Sequence, residues 1–317
     1  MNDIVTLTMN PALDITTVTG RVIPTDKMRC GAPRRDPGGG GINVARVLNM
    51  LGERATAVFP SGGHSGRELE DLVATEGVPS RTVTIRGSTR ESFTVNEEQT
   101  TLQYRFVLPG PRLTPREVDS CLHLLSTTAA DARFVVASGS LPPGVPVDFY
   151  QIVADIVSDL GARLFLDTSG PPLRALRRGV YLLKPSIREL RECVGRELQT
   201  IDDQVTAARD LIASGVCEVV VLSLGAAGAV HVTAKEAEHC PSVAVPVVSG
   251  VGAGDSMVAG TLFGLARGWE LRDSVRFGIA AGAAMLGTPG TALCCRADID
   301  RYYAQLTDHA PVGGRDR

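Results

Sequence analysis

The stretch Ser249–Ala266, SGVGAGDSMVAGTLFGLA, crowds three glycines into five residues, then places one aspartate, then runs on in small and apolar side chains. Gly250, Gly252 and Gly254 open backbone conformations closed to other residues. Behind them, Met257, Val258, Gly260, Thr261, Leu262, Gly264 and Leu265 predict a buried helix. A helix start leaves N–H groups unpaired and carries partial positive charge, so it attracts anions and phosphate above all. Asp255 lies in that first turn. On these residues alone it has two readings: a cap for the helix, or a base held beside a bound phosphate.

Short β-branched runs recur on the N-terminal side of this stretch, at Ile4–Thr8, Ala55–Phe59, Phe134–Ala137, Leu164–Leu166, Tyr181–Leu183 and Val219–Leu222. Most are apolar throughout, which suits strands covered on both faces, as in a parallel sheet. Helical patterns alternate with them at Gly41–Leu51, Ser65–Glu76, Pro115–Thr127, Asp148–Leu160, Ile187–Val194, Asp202–Ala213, Ser256–Arg267 and Asp273–Leu286. This alternation predicts a doubly wound α/β fold. Two segments depart from it. Ile15–Cys30 and Glu91–Phe106 contain alternating strand patterns and carry or adjoin Lys27, Arg29, Arg90 and Arg105. They predict a small antiparallel sheet acting as a lid. The expected division is a core of residues 1–14, 31–89 and 107–310, a lid of residues 15–30 and 90–106, and a flexible polar tail at 311–317.

Composition narrows the partners. The chain has 317 residues, 44% hydrophobic and 4% aromatic, ample for a globular core. A net charge of −3 gives no general attraction to nucleic acid or to a membrane surface. The N-terminus enters a strand-like run without a basic region or a long apolar one, so no signal peptide is expected. No apolar stretch reaches the roughly 18 residues that span a bilayer. Seven cysteines, with no C-x-x-C pair, read as thiols in a reducing cytoplasm. The five histidines show no metal-ligand spacing.

Further motifs stand at strand ends, where α/β folds build their sites. NPALD (Asn10–Asp14) ends the first strand with a carboxylate that can cap a loop or accept hydrogen bonds from sugar hydroxyls. PGGGGINVAR (Pro37–Arg46) opens a helix without the G-x-G-x-x-G spacing of a dinucleotide site, and its Asn43 offers both donor and acceptor groups. SGSLPPG (Ser138–Gly144) is turn chemistry or a polar-ligand loop. KPSIREL (Lys184–Leu190) carries Glu189, which either faces solvent or orients hydrated Mg²⁺. SLGAAGA (Ser223–Ala229) joins two strands or lies under a nucleotide phosphate.

Taken together and in order, these motifs, with QYRFVLPG (Gln103–Gly110), resemble the PfkB/ribokinase family of carbohydrate kinases over nearly the whole chain, and within it most closely the bacterial 6-phosphofructokinases of the PfkB type. The resemblance implies a ribokinase-like αβα sandwich with a mainly parallel central sheet and a β-sheet lid, commonly joined to a second subunit in a homodimer. It implies Asp255 as general base, with the N–H groups of Gly252, Ala253 and Gly254 as an anion hole. Asp14, Gly39, Gly40, Asn43 and Ser140 would hold sugar hydroxyls. Lys27, Arg29, Arg90 and Arg105 would neutralise the phosphate already on the sugar. Lys184, Ser186, Ser223, Gly225 and Gly228 would contact ATP, and Glu189 would organise Mg²⁺ through water. The carbonyls of Ser249 and Val251 are the expected seat of K⁺.

The chain departs from the family pattern in having Ser186 where asparagine is common, Gly250 where threonine is frequent, and an extra residue beside Pro289. The activity implied is ATP-dependent phosphorylation of fructose 6-phosphate at its 1-hydroxyl in glycolysis. Tagatose 6-phosphate and fructose 1-phosphate kinases share the motifs. A non-catalytic sugar-phosphate-binding protein would have no need of Asp255 behind the glycine turn, and an NAD-dependent oxidoreductase would need the missing dinucleotide fingerprint.

Overall fold

Phe134, Val135, Val136 and Ala137 are consecutive and all buried, yet they belong to two different cores. Phe134 and Val136 join one cluster, Val135 and Ala137 the other, because successive strand residues point to opposite faces. An apolar run of this kind therefore needs cover on both sides. The computed structural model, which describes residues 3–308, provides it.

The strands are β1 (Ile4–Leu7), β2 (Ala12–Thr19), β3 (Arg34–Gly38), β4 (Ala55–Ser61), β5 (Ser80–Thr84), β6 (Arg90–Glu97), β7 (Gln103–Val107), β8 (Phe134–Ser138), β9 (Arg163–Asp167), β10 (Val180–Leu183), β11 (Cys217–Ser223), β12 (Ala229–Val232) and β13 (Ala237–Cys240). The helices are α1 (Gly40–Met50), α2 (Gly63–Thr75), α3 (Pro115–Thr128), α4 (Phe149–Asp159), α5 (Pro171–Arg174), α6 (Ile187–Val194), α7 (Ile201–Ala213), α8 (Ala253–Ala266), α9 (Leu271–Leu286) and α10 (Arg296–Asp308). Nine strands form one sheet in the order β13-β12-β11-β10-β9-β8-β1-β4-β5, parallel from β11 to β5 and antiparallel at β12 and β13. Helices α1, α2, α8, α9 and α10 contribute to the core on one face, α3, α4, α6 and α7 to that on the other. The structure thus has the expected αβα build.

Helix α8 is buried from Ser256 to Gly264 and packs against α1 and α9. The approach to α9 depends on small residues: a Cβ on Gly260 would come 2.8 Å from Gly278 Cα.

The second sheet has four strands in the order β3-β2-β6-β7 and corrects the sequence reading in three ways. Its central pair, β2 and β6, is parallel, from Ala12↔Arg90 to Thr19↔Glu97, where an antiparallel sheet was expected. Parallel pairing needs a long crossover, and the intervening chain with α1 and α2 supplies it. The strand pattern expected over Ile15–Cys30 ends at Thr19, and residues 20–33 contain no strand. Finally, Arg34–Gly38 is a strand although RRDPG has no strand propensity. It sits at the sheet edge, where Pro37 is tolerated. The tail expected at 311–317 lies outside the described residues.

Candidate active site

The first turn of α8 removes one of the two readings of Asp255, the helix cap. The helix begins after Gly252, which takes the left-handed conformation (φ 79°, ψ −5°), and no side chain caps it. The Asp255 carboxylate is turned to other partners. Oδ2 accepts a hydrogen bond from Asn43 Nδ2 at 2.9 Å, and Oδ1 accepts one from Ser138 Oγ at 3.3 Å. Burial, reinforced by the negative charge of Asp167, pushes its pKa up to about 7, while Asn43, Lys184 and Ser138 pull the other way. A carboxylate held near neutrality in a cleft is suited to take a proton. In the same turn, the N–H groups of Gly252, Ala253 and Gly254 donate to no protein acceptor among the described residues.

The glycines of the second cluster make room for this arrangement. A Cβ on Gly40 would overlap Ser138 Oγ and come 3.0 Å from Asp255 Oδ1. A Cβ on Gly38 would overlap the Asp14 carboxyl. Gly39 has φ +119° and backs onto Thr8 and Pro11.

Small-sheet residues line the other side of the cleft. Asp14 on β2 faces it together with Arg90 and Arg105. Burial pushes the Asp14 pKa up to about 6, and the two arginines restrain the rise. These arginines differ. Arg90 donates from Nε and Nη2 to the carbonyl of Asn10 and from Nη1 to that of Leu108, so most of its fork is occupied. Arg105 is exposed and makes no hydrogen bond or ion pair among the described residues. Ser140 lines the same cleft and accepts from Asn10 Nδ2 at 3.0 Å.

Behind Asp255, Lys184 Nζ lies 3.1 Å from Asp167 Oδ2, both largely buried. Burial opposes the lysine's charge, but Asp167, with Glu189 and Asp255 farther off, holds its pKa above the ordinary value, so it stays an ammonium. Nζ would be 3.6 Å from a Cβ on Gly254, which puts the cation beside the glycine turn. Ser186 and Glu189 form a reciprocal cap for α6. Glu189 Oε2 accepts from Ser186 N at 2.7 Å, and Ser186 Oγ accepts from Glu189 N at 3.3 Å. Glu189 nevertheless lines the cleft.

The structure brings Asp14, Gly39, Gly40, Asn43, Arg90, Arg105, Ser140, Glu189, Val251, Gly252 and Asp255 to one cleft. Lys27 and Arg29 do not line it; they are exposed within residues 20–33. Ser223, Gly225 and Gly228 stand at the end of β11 and in the turn after it, beside Ser186. Ser249 is buried, and its Oγ accepts from Val251 N at 3.2 Å. Sequence reasoning missed Asp167, gave Arg46 no role, and read Ser138 only as part of the SGSLPPG loop. Asp167 ends β9 among the other site-bearing strand ends, a position that could have marked it. The S-x-x-E spacing of Ser186 and Glu189 was likewise a readable capping box.

Comparison with known proteins agrees with this geometry. The pfkB family carbohydrate kinase pattern matches residues 7–298. The chain belongs to the pfkB family of carbohydrate kinases. Among members of the family, it is 58% identical to the ATP-dependent 6-phosphofructokinase isozyme 2 of Mycobacterium tuberculosis, over 98% of this chain and 91% of that protein. Phosphofructokinase-2 from Escherichia coli, solved in complex with fructose-6-phosphate, superposes with a TM-score of 0.90 at 40% identity, over 97% of this chain and 100% of that one. The same enzyme in complex with potassium gives a TM-score of 0.92 at 41% identity with the same coverage. The pfkB fold expected from the motifs is thus the fold observed.

Proposed function

We propose that the chain is an ATP-dependent 6-phosphofructokinase that phosphorylates fructose 6-phosphate at its 1-hydroxyl. The observation that carries this reading is Asp255, half-buried, aimed away from its own helix and lining one cleft with Asp14, Arg90 and Arg105. Asp255 takes the proton of the sugar hydroxyl as its oxygen attacks the γ-phosphorus of ATP. The bond from that phosphorus to the bridging oxygen breaks, and its electron pair leaves with ADP. The free N–H groups of Gly252, Ala253 and Gly254, together with Lys184, stabilise charge on the transferring group. Asp14, Asn43, Ser140 and the backbone of Gly39 and Gly40 hold the sugar, with its phosphate at Arg105 and Arg90. Ser186, Ser223, Gly225 and Gly228 form the nucleotide side.

The donor set suits a divalent cation. Asp167 and Glu189 set two carboxylates against the single ammonium of Lys184, and one Glu189 oxygen is spared by the helix cap. Glu189 would hold Mg²⁺ through water, and the ion would supply charge neutralisation at the phosphates. The carbonyls of Ser249 and Val251 accept no hydrogen bond among the described residues, which suits them to K⁺.

The small sheet serves as a lid that pairs two subunits. Phe93 and Phe106 stand opposite each other across β6 and β7, and both are exposed. A sheet with such a face is marginal alone. A cytoplasmic location goes with this reading: all seven cysteines are free thiols, and among the described residues no helix is long and apolar enough to cross a membrane.

Measuring ADP release with fructose 6-phosphate, tagatose 6-phosphate, fructose 1-phosphate and fructose at fixed ATP tests the assignment. Highest kcat/KM for fructose 6-phosphate is expected. Preference for another phosphosugar would reassign the substrate, and no ADP release with any of them would remove the catalytic reading.

A further inference from the structure

Arg46 is the largest fully buried side chain of the described residues, 1% exposed, and nothing in the reaction requires it to touch substrate. Each nitrogen of its guanidinium nevertheless donates a hydrogen bond. Nε and Nη2 each meet one oxygen of Glu76 at 2.6 Å, a two-pronged ion pair joining α1 to the residue that ends α2. Nη1 donates to three oxygens: the carbonyls of Pro37 and Thr291 at 3.2 and 3.0 Å, and Oδ1 of Asn43 at 3.2 Å.

The contact to Asn43 carries the inference. A carboxamide has two chemically different ends. Arg46 has no acceptor, so it can face only the oxygen end, which leaves Nδ2 toward Asp255 at 2.9 Å. We infer that Arg46, braced by Glu76, is a positioning residue that fixes the orientation of the Asn43 amide and through it the geometry of the Asp255 carboxylate. A chain of four side chains, Glu76–Arg46–Asn43–Asp255, thus runs from the end of α2 to the reacting centre. Without Arg46 the amide is free to turn its oxygen toward Asp255, where two acceptors would repel. The bond from Asn43 also favours the charged form of Asp255, so its loss raises the pH at which the base ionises. The other groups acting on Asp255 (Ser138, Asp167 and Lys184) lie on other elements and stay in place.

The inference rests on Asp255 being the base, and the test separates the two. In the full-length enzyme, Arg46→Met is expected to lower kcat about ten- to a hundred-fold, the cost of a misplaced catalytic group. KM for ATP should stay near wild type, while KM for fructose 6-phosphate should rise, because Asn43 also lines the sugar side of the cleft. The acidic limb of the kcat–pH profile should move to higher pH. The double variant Arg46→Met/Asn43→Ala should be no slower than Asn43→Ala alone, since Arg46 acts through Asn43. Arg46→Lys and Glu76→Gln keep most of the packing and should show the same pH displacement with smaller losses of kcat; they decide the matter if Arg46→Met does not fold. A lowered melting temperature with an unmoved pH limb, or losses that multiply in the double variant, would overturn the positioning role. Full turnover in Asp255→Asn would instead overturn the assignment of the base.

Discussion

Gly40 and Ser138 approach so closely that a single methyl group on the glycine would overlap the serine hydroxyl. That hydroxyl donates to Asp255. Gly40→Ala must therefore displace Ser138, Asp255 or the start of α1. The expected result is a folded protein with kcat reduced by about 10²-fold, the cost of moving a catalytic group by roughly an ångström. Steady-state kinetics with a circular-dichroism check of folding measures it. Unchanged kcat would mean that the Ser138–Asp255 contact is dispensable.

Asp255→Asn should lower kcat about 10²–10⁴-fold, the usual yield of a general base, while ATP binding measured by calorimetry persists. It should also stabilise the protein in a pH-dependent way. Asp255 has a folded pKa of about 7 against an ordinary 3.8. The folded state therefore binds this proton more tightly than the unfolded state. The stability this confers is complete below the ordinary value and is lost as pH rises through about 7. The asparagine variant has no such loss. Its advantage in Tm over the wild type should be larger at pH 8 than at pH 5, and the reverse order would contradict the burial of an ionisable Asp255.

On the proposed role, the same group should set the pH dependence of the reaction. Proton removal requires the ionised carboxylate, so kcat/KM should fall on the acid side with an apparent pKa near 7. Asp14, pushed up to about 6, should steepen the decline below that value. A profile flat from pH 8 to pH 5 would exclude both groups from the reaction.

Arg105 and Arg90 should separate in a way that sequence alone did not show. Arg105→Ala removes a cation without protein partners. It should raise KM for fructose 6-phosphate about ten- to a hundred-fold, equivalent to about 1.5–3 kcal/mol for a charge-assisted contact, with KM for ATP little changed. Arg90→Ala should raise the same KM and also lower Tm, because the carbonyls of Asn10 and Leu108 lose their donor. Equal effects on fructose and fructose 6-phosphate would assign the arginines to structure.

Phe106→Asp should convert a homodimer to a monomer in analytical ultracentrifugation by placing charge on the exposed Phe93–Phe106 face. A wild-type protein that sediments as a monomer at full activity would refute lid pairing.

The parts legible in the sequence are those governed by local rules. Apolar runs such as Phe134–Ala137 announced strands covered on both faces, and the glycine turn before Asp255 announced a helix start. The illegible parts are decided by distant neighbours. Arg34–Gly38 is a strand only because β2 lends it a ladder. The parallel pairing of β2 with β6 depends on a crossover that neither segment encodes. Asn43 was readable as a polar group in the right place, but its hold on Asp255 joins residues 212 positions apart. Arg46 gave no signal at all, since its role depends on which end of an amide it faces. Lys27 and Arg29 looked equivalent to Arg90 and Arg105 in a charge count, yet only the latter pair line the cleft.

The link between β1 and β2 is Thr8, Met9, Asn10 and Pro11, all buried. Asn10 is held twice, by Arg90 at its carbonyl and through its side chain to Ser140. A door hung on such a link has no free hinge at its near side. The small sheet is anchored where it meets the core, so breathing belongs to the outer strand β7 and the connection at residues 98–102. On the proposed sugar contact, Asp14, just past the anchor, is held in place before any ligand arrives, so little freedom should remain to be lost there on binding. Amide hydrogen exchange would read this as a gradient, slow at Leu13 and fast toward Leu102.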